Sequence, residues 1–224
     1  MSPAAAGGCV VDHLVVAAAS LDQGVAWCEA TLGVTPGPGG RHALMGTHNR
    51  LLTIADAVFP QAYFEIIAID PDAPPPGRAR WFGLDEAALQ QRIAVQPRLV
   101  HLVARCTDLQ AQRRALLGAG FDPGDVLSAG RDTPQGRLQW QITVRADGRP
   151  GQGGALPTLI QWSGAHPTAA MPASGVTLHS LALCGLPEAA RAALRLQGVK
   201  CLPPPGAALR ATLATPLGVV TLES

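Results

Sequence analysis

Apolar residues along this chain alternate between a two-residue and a helical rhythm, and the same succession of rhythms occurs three times. Residues 9–18 form a β-branched apolar run and read as a strand. Ser20-Leu21-Asp22 then has the form of a helix start. Leu21, Val25, Cys28 and Leu32 fall at helical spacing up to Gly33. Gly37–Gly40 reads as a turn, 41–45 and 50–55 as two short strands joined by Gly46-Thr47-His48-Asn49, and 62–69 as a closing strand. The order is βαβββ. After a Pro-rich connection at 70–77 and a helix at 85–95, a second unit begins at 98–105. Its helix opens at Asp108 and stops at Gly118-Ala119-Gly120. Its later strands fall at about 125–129, 137–145 and 156–162. A Pro/Ala/Gly-rich linker, 163–175, leads to a shorter third unit: strand 176–183, helix 187–197, a proline-interrupted strand at 201–206, and a hairpin of 208–214 and 218–223.

Each unit opens on an apolar strand with one histidine: His13 in Val11–Val15, His101 in Leu99–Val103, His179 in Val176–Leu181. Each closes on a strand carrying an acid or amide: Glu65, Gln161 and Glu223. The histidines recur roughly every 80–90 residues, a module-sized period. A histidine and a carboxylate supplied by copies of one module can assemble a divalent metal site. Imidazole and carboxylate together suit Zn, Mn, Fe, Ni or Co without choosing among them.

Side chains alternate faces along a strand, so His13 shares a face with Val11 and Val15, and Glu65 with Tyr63 and Ile67. If the first and last strands curl around one cavity, both polar groups point into it. A buried glutamate then needs a histidine, an arginine or a metal. His42 and His48, with Arg41 and Asn49 beside them, flank a hairpin turn and are candidate substrate contacts. Arg41, Arg78 or Arg80 can hold an anionic group in a bidentate pair, and Trp81 and Trp140 can wall the site.

Composition narrows the function classes. Apolar residues make up 47% and charged residues 15%, with a net charge of +1, so the chain folds around a core and has no basic surface for nucleic acid or anionic membrane. The apolar stretch near the start is too short and too polar to span a bilayer, and no cationic region there marks a signal peptide. The five cysteines form no CxxC pair and read as reduced thiols in the cytoplasm.

These features resemble the vicinal-oxygen-chelate superfamily, which includes glyoxalase I and extradiol dioxygenases, and most closely its glyoxalase-like branch. The resemblance is carried by Val11–Val16, Gly39–His42, Gly46–Leu51, Tyr63–Ile67, Arg80–Asp85, Leu99–His101, Arg137–Val144 and Leu156–Trp162. It implies an α+β fold in which repeated βαβββ modules form a curved mixed sheet around a central cavity. The paired modules would occupy 9–165 and a third, reduced βαβββ-like module 175–224. Carried over position by position, it implies a divalent metal held by His13, Glu65, His101 and Gln161. Metal-binding relatives usually have glutamate at the last position, so Glu65 is left as the catalytic carboxylate. The implied chemistry is lyase, isomerase or dioxygenase chemistry on a small oxygen-bearing molecule. A non-catalytic small-molecule binder using the same cavity is the alternative, and pairing of a histidine with Glu65 would favour it. Relatives often pair modules across a homodimer. Here two full modules lie in one chain, so the oligomeric state stays open.

Overall fold

A computed structural model describes residues 7–224. Residues 1–6, part of the leading stretch in which no signal peptide is expected, lie outside them. The fold is α+β, as the resemblance implies. The first module runs β1 (Val10–Ala17), α1 (Leu21–Leu32), β2 (Gly37–His42), β3 (Thr47–Thr53) and β4 (Tyr63–Ile69). A helix, α2 (Ala87–Val95), precedes the second module: β5 (Arg98–Arg105), α3 (Leu109–Gly118), β6 (Asp125–Thr133), β7 (Gly136–Val144) and β8 (Thr158–Ser163). The helices start and stop where local chemistry tells them to. Ser20 accepts the Gln23 amide and Asp108 the Ala111 amide, while Gly33, at φ 73°, takes the left-handed cap that a side chain would resist.

The two modules are wired identically. In each, the first and last strands pair in parallel (β1 with β4, β5 with β8), and the middle strands continue outward in antiparallel pairing. Antiparallel pairing of β1 with β5 joins them into one curved eight-stranded sheet, ordered β2-β3-β4-β1-β5-β8-β7-β6. The edge strands β2 and β6 approach each other, so the sheet nearly closes. Leu14, Val16, Phe64, Ile66, Leu102 and Ala104 form a core on its convex face, while Val15, Ala17, Ile67, Val103, Ile142 and Ile160 line the concave face.

The third unit does not extend this sheet. Its strands β9 (Thr177–Cys184), β10 (Val199–Leu202), β11 (Leu209–Thr215) and β12 (Gly218–Glu223), with α4 (Glu188–Leu194), form a separate sheet ordered β10-β9-β11-β12. There the first strand pairs in parallel with the strand right after the helix, unlike the two full modules. The unit shares the convex core through Leu178, Leu181, Leu194 and Leu213. It is stitched to the first module by Cys9 N to Leu194 O and Leu178 N to Ile54 O.

The sequence places the first hairpin wrongly. Gly37–Gly40 is not a turn but the start of β2, and the turn falls at 43–46. β2 is an edge strand and so tolerates Pro38. Gly39 and Gly40 are strand residues, and glycine fits there because Asn49 and Arg131 press where a Cβ would sit. None of the described helices is long and apolar enough to cross a membrane. All five cysteines are free.

Candidate functional site

The concave face of β1 carries two polar side chains in succession. A bulge between Val11 and His13 in the pairing with β5 breaks the alternation, so Asp12 and His13 both enter the concave side. His13 Nδ1 lies 2.7 Å from Asp12 Oδ1, and His13 Nε2 lies 3.4 Å from Glu65 Oε2. Glu65 projects from β4, parallel to β1, as the alternation requires. Its Oε1 accepts from Asn49 Nδ2 of β3 at 2.6 Å and lies 3.9 Å from His42 Nε2 of β2. Tyr63 stacks on the His13 ring at 4.6 Å. Asp12, fully buried, also accepts from Trp162 Nε1 at 3.0 Å and lies 3.1 Å from His166 Nε2.

Burial opposes ionisation of Asp12, His13, Glu65 and His42, yet mutual pairing wins for the first three. Burial would lower His13, but hydrogen bonds to Asp12 and Glu65 push it up to about 9. Burial would raise Glu65, but His13 and Asn49 bring it down to about 2. Asp12 is likewise held well below the usual carboxylate range by His13 and His166 against its burial. His42 has no hydrogen-bonded anion, so burial dominates and lowers it to about 4. At neutral pH the cluster therefore holds an imidazolium between two carboxylates, beside a neutral imidazole.

These groups face a chamber of about 30 Å³ walled by Trp81, Phe82, Trp140, Ile142, Ile160 and Trp162, enough for little more than one water-sized group. The chamber adjoins a groove of about 820 Å³, whose sides come from β2, β3, the β6–β7 hairpin and the segment 165–174. Leu51, Arg131 and Pro167 border both spaces.

Of the residues singled out from the sequence, His13, Glu65, His42, Asn49, Trp81 and Trp140 meet at the chamber. Four others do not. Gln161 sits on the opposite face of β8 from Ile160 and Trp162, and its Oε1 accepts the Leu109 amide at the start of α3, 2.7 Å away. His101 is on the concave side, but Trp81 and Phe82 partition it into a second small space. Its Nε2 accepts the Thr158 amide at 3.1 Å, and burial lowers its pKa to about 3. His48 faces away from Asn49 on β3 and lies 3.9 Å from Asp70. Arg41 is exposed and paired with Asp70 and Asp72, at 3.4 and 2.9 Å.

The donors implied for a divalent metal therefore do not fit one as they stand. Both His13 nitrogens face carboxylates, the His101 Nε2 lone pair is spent on Thr158, and Gln161 serves a helix end. Among the described residues, no group of three or more His, Cys, Asp or Glu is disposed to hold a metal ion.

Asp12, His166 and Arg131 are among the residues of the site that sequence reasoning missed. Asp12 shows one signal, an acid inside an apolar strand, but alternation assigns it to the wrong face. His166 lies in a segment that reads as a linker, and Arg131 in a strand with no apolar rhythm.

A family model described as a glyoxalase-like domain matches residues 11–199. No curated protein matches. Among solved structures, a hypothetical protein from Staphylococcus aureus is 17% identical, with 79% of this chain and 70% of that chain covered at a TM-score of 0.54. Methylmalonyl-CoA epimerase from Mycobacterium tuberculosis is 18% identical, covering 76% of this chain and 96% of that chain at a TM-score of 0.41.

Proposed function

The chain belongs to the glyoxalase-like domain family of the vicinal-oxygen-chelate superfamily, and from that premise we propose that its concave face binds a small organic molecule without a metal ion. A polar head group enters the chamber beside His13, His42, Asn49 and Glu65, and the body of the molecule lies in the adjoining groove. The observation that supports this reading is the pairing of His13 Nε2 with Glu65 Oε2. It pushes the two groups in opposite directions from neutrality, Glu65 to about 2 and His13 to about 9. A general acid or base works best with a pKa near the working pH. A charged pair held this far from it is better suited to fixing a ligand's hydrogen bonds than to moving protons. Binding or sequestration is thus favoured over dioxygenase chemistry, for which the donors would have to be rearranged.

One observation favours a lyase or isomerase as a second reading. Glu65 is the only carboxylate lining the chamber among the described residues. A ligand that parts it from His13 removes its main source of stabilisation and lifts its pKa toward the range of a useful base.

Elemental analysis decides the metal question. The protein and its His13→Ala and Glu65→Ala variants are dialysed against Zn, Mn, Fe, Ni and Co in turn, then against metal-free buffer. The expected result is well under one metal per chain, equal in all three proteins. About one metal per wild-type chain, lost in both variants, overturns the metal-free reading.

A further inference from the structure

We propose that the ligand of the concave face is an organic anion with an apolar body, and that Arg131 selects it. The inference rests on the small-molecule reading above and adds the chemical class of the ligand.

Arg131 stands on the edge strand β6 and reaches across the gap in the sheet to the opposite edge, β2. It packs on Gly40, where a Cβ would collide with the guanidinium. Its Nη1 donates to Asn49 Oδ1 at 3.4 Å. Among the described residues, Arg131 is the one charged residue that borders both the chamber and the groove.

Neighbouring arginines are already spent: Arg41 on Asp70 and Asp72, Arg80 on Asp85, Arg137 on Asp132. Arg131 pairs with no carboxylate among the described residues. Its hydrogen bond goes to a neutral amide, which leaves most of its five N–H donors free. A half-buried guanidinium in that state is an anion site waiting for its anion, and its planar fork suits carboxylate or phosphate.

Asn49 explains why Glu65 does not fill the role. Its Oδ1 faces Arg131 and the Gly40 amide, while its Nδ2 faces Glu65. The amide thus separates cation from carboxylate. The arrangement also fixes which side the ligand's anion takes. On the chamber side it would meet the Glu65 carboxylate, so it sits on the groove side of Asn49. There Val34, Leu51, Leu52, Leu138 and Met171 offer an apolar bed, and about 820 Å³ accommodates a medium-sized organic body.

The test measures binding of octanoate, octyl phosphate, octanol and octyltrimethylammonium by calorimetry and by the fluorescence of the chamber tryptophans. It uses the full chain as wild type, Arg131→Gln and Arg131→Lys, with melting curves to check that the variants fold. At least one of the two anions should bind the wild type about tenfold or more tighter than octanol, as a charge-assisted hydrogen-bonded pair implies. The preference should vanish in Arg131→Gln and partly return in Arg131→Lys. Whichever anion binds tighter identifies carboxylate or phosphate as the natural group. Octanol or octyltrimethylammonium binding as tightly as both anions, or an anion preference that survives in Arg131→Gln, overturns the inference and leaves the small-molecule reading standing. Absence of binding by all four probes overturns both.

Discussion

Asp12 and His13 are consecutive on a strand, yet their side chains meet, Oδ1 to Nδ1 at 2.7 Å, because the β1–β5 pairing slips by a residue at this point. The bulge turns a residue that alternation assigns to the convex core into the partner that orients and charges His13. The rest of the site follows from that contact. With one imidazole edge fixed on Asp12, the other is aimed at Glu65, and Tyr63 stacks against the ring so that it cannot swing away.

Asp12→Asn tests this relationship. The variant keeps an acceptor but loses the charge, so the midpoint for His13, followed by NMR of its ring protons, should fall clearly below about 9. Breaking a buried ion pair from one side typically costs about 3–5 kcal/mol, and denaturant unfolding should show a loss of that order. An unchanged midpoint would mean that Glu65 alone holds His13 charged.

The modular plan is legible in the sequence because strand and helix rhythms are local properties, and three similar copies reinforce one another. His13 and Glu65 are legible for the same reason: the first and last strands of a module lie side by side, and alternation sets their faces. What is not legible depends on partners far along the chain. The bulge at Asp12 exists only in the pairing with β5. His166 looks like linker until the segment after β8 folds back and delivers it to Asp12. His101 is on the expected face, but Trp81 and Phe82, from the connection between modules, stand between it and Glu65. Gln161 is a matter of parity. Alternation says that it opposes Ile160 and Trp162, but only the fold says which of those faces is concave.

Gln161→Glu puts back the carboxylate that metal-binding relatives carry. Here it should not create a metal site, because the side chain caps α3 at Leu109 on the far side of the sheet. A carboxylate at a helix start is favourable, so the variant should gain about 0.3–1 kcal/mol and take up no more Zn or Mn than the wild type. A stoichiometric gain of metal would show that β8 can turn its inner and outer faces around.

Gly39 and Gly40 are adjacent, and their alanine variants should behave in opposite ways. A Cβ at Gly39 meets the Asn49 backbone, which cannot yield without disturbing the β2–β3 ladder. Gly39→Ala should therefore cost about 2 kcal/mol or more, in line with overpacking elsewhere. A Cβ at Gly40 meets the end of the flexible Arg131 side chain. Gly40→Ala should keep its melting temperature within a few degrees but move the guanidinium, and so change the affinity for octanoate or octyl phosphate without unfolding the site. Equal destabilisation by both would mean that Arg131 is as rigidly held as the backbone.

Stability should peak near pH 6.5 and fall on both sides, for reasons set by different residues. His13 is raised from 6.5 to about 9, so the folded state holds a proton that the unfolded chain has released. Its contribution is complete below pH 6.5 and is lost as pH rises toward 9, which amounts to roughly 3 kcal/mol for a shift of this size. The buried thiols of Cys9 and Cys28, also raised, begin to matter only above their ordinary value of 9.0. On the acid side the sign reverses. His42 and His101 are held neutral down to about 4 and 3, so the unfolded chain takes up protons first as pH drops below 6.5. Glu65, lowered from 4.5 to about 2, and Asp12, lowered as well, add a further loss below about 4.5. Urea unfolding at half-unit steps from pH 4 to 9 should trace this peak. In His13→Gln the descent above pH 6.5 should flatten, while the acid limb set by His42 and His101 persists. A wild-type curve that stays level from pH 6.5 to 9 would show that His13 is not held as an imidazolium, and with it would go the charged pair on which the binding reading rests.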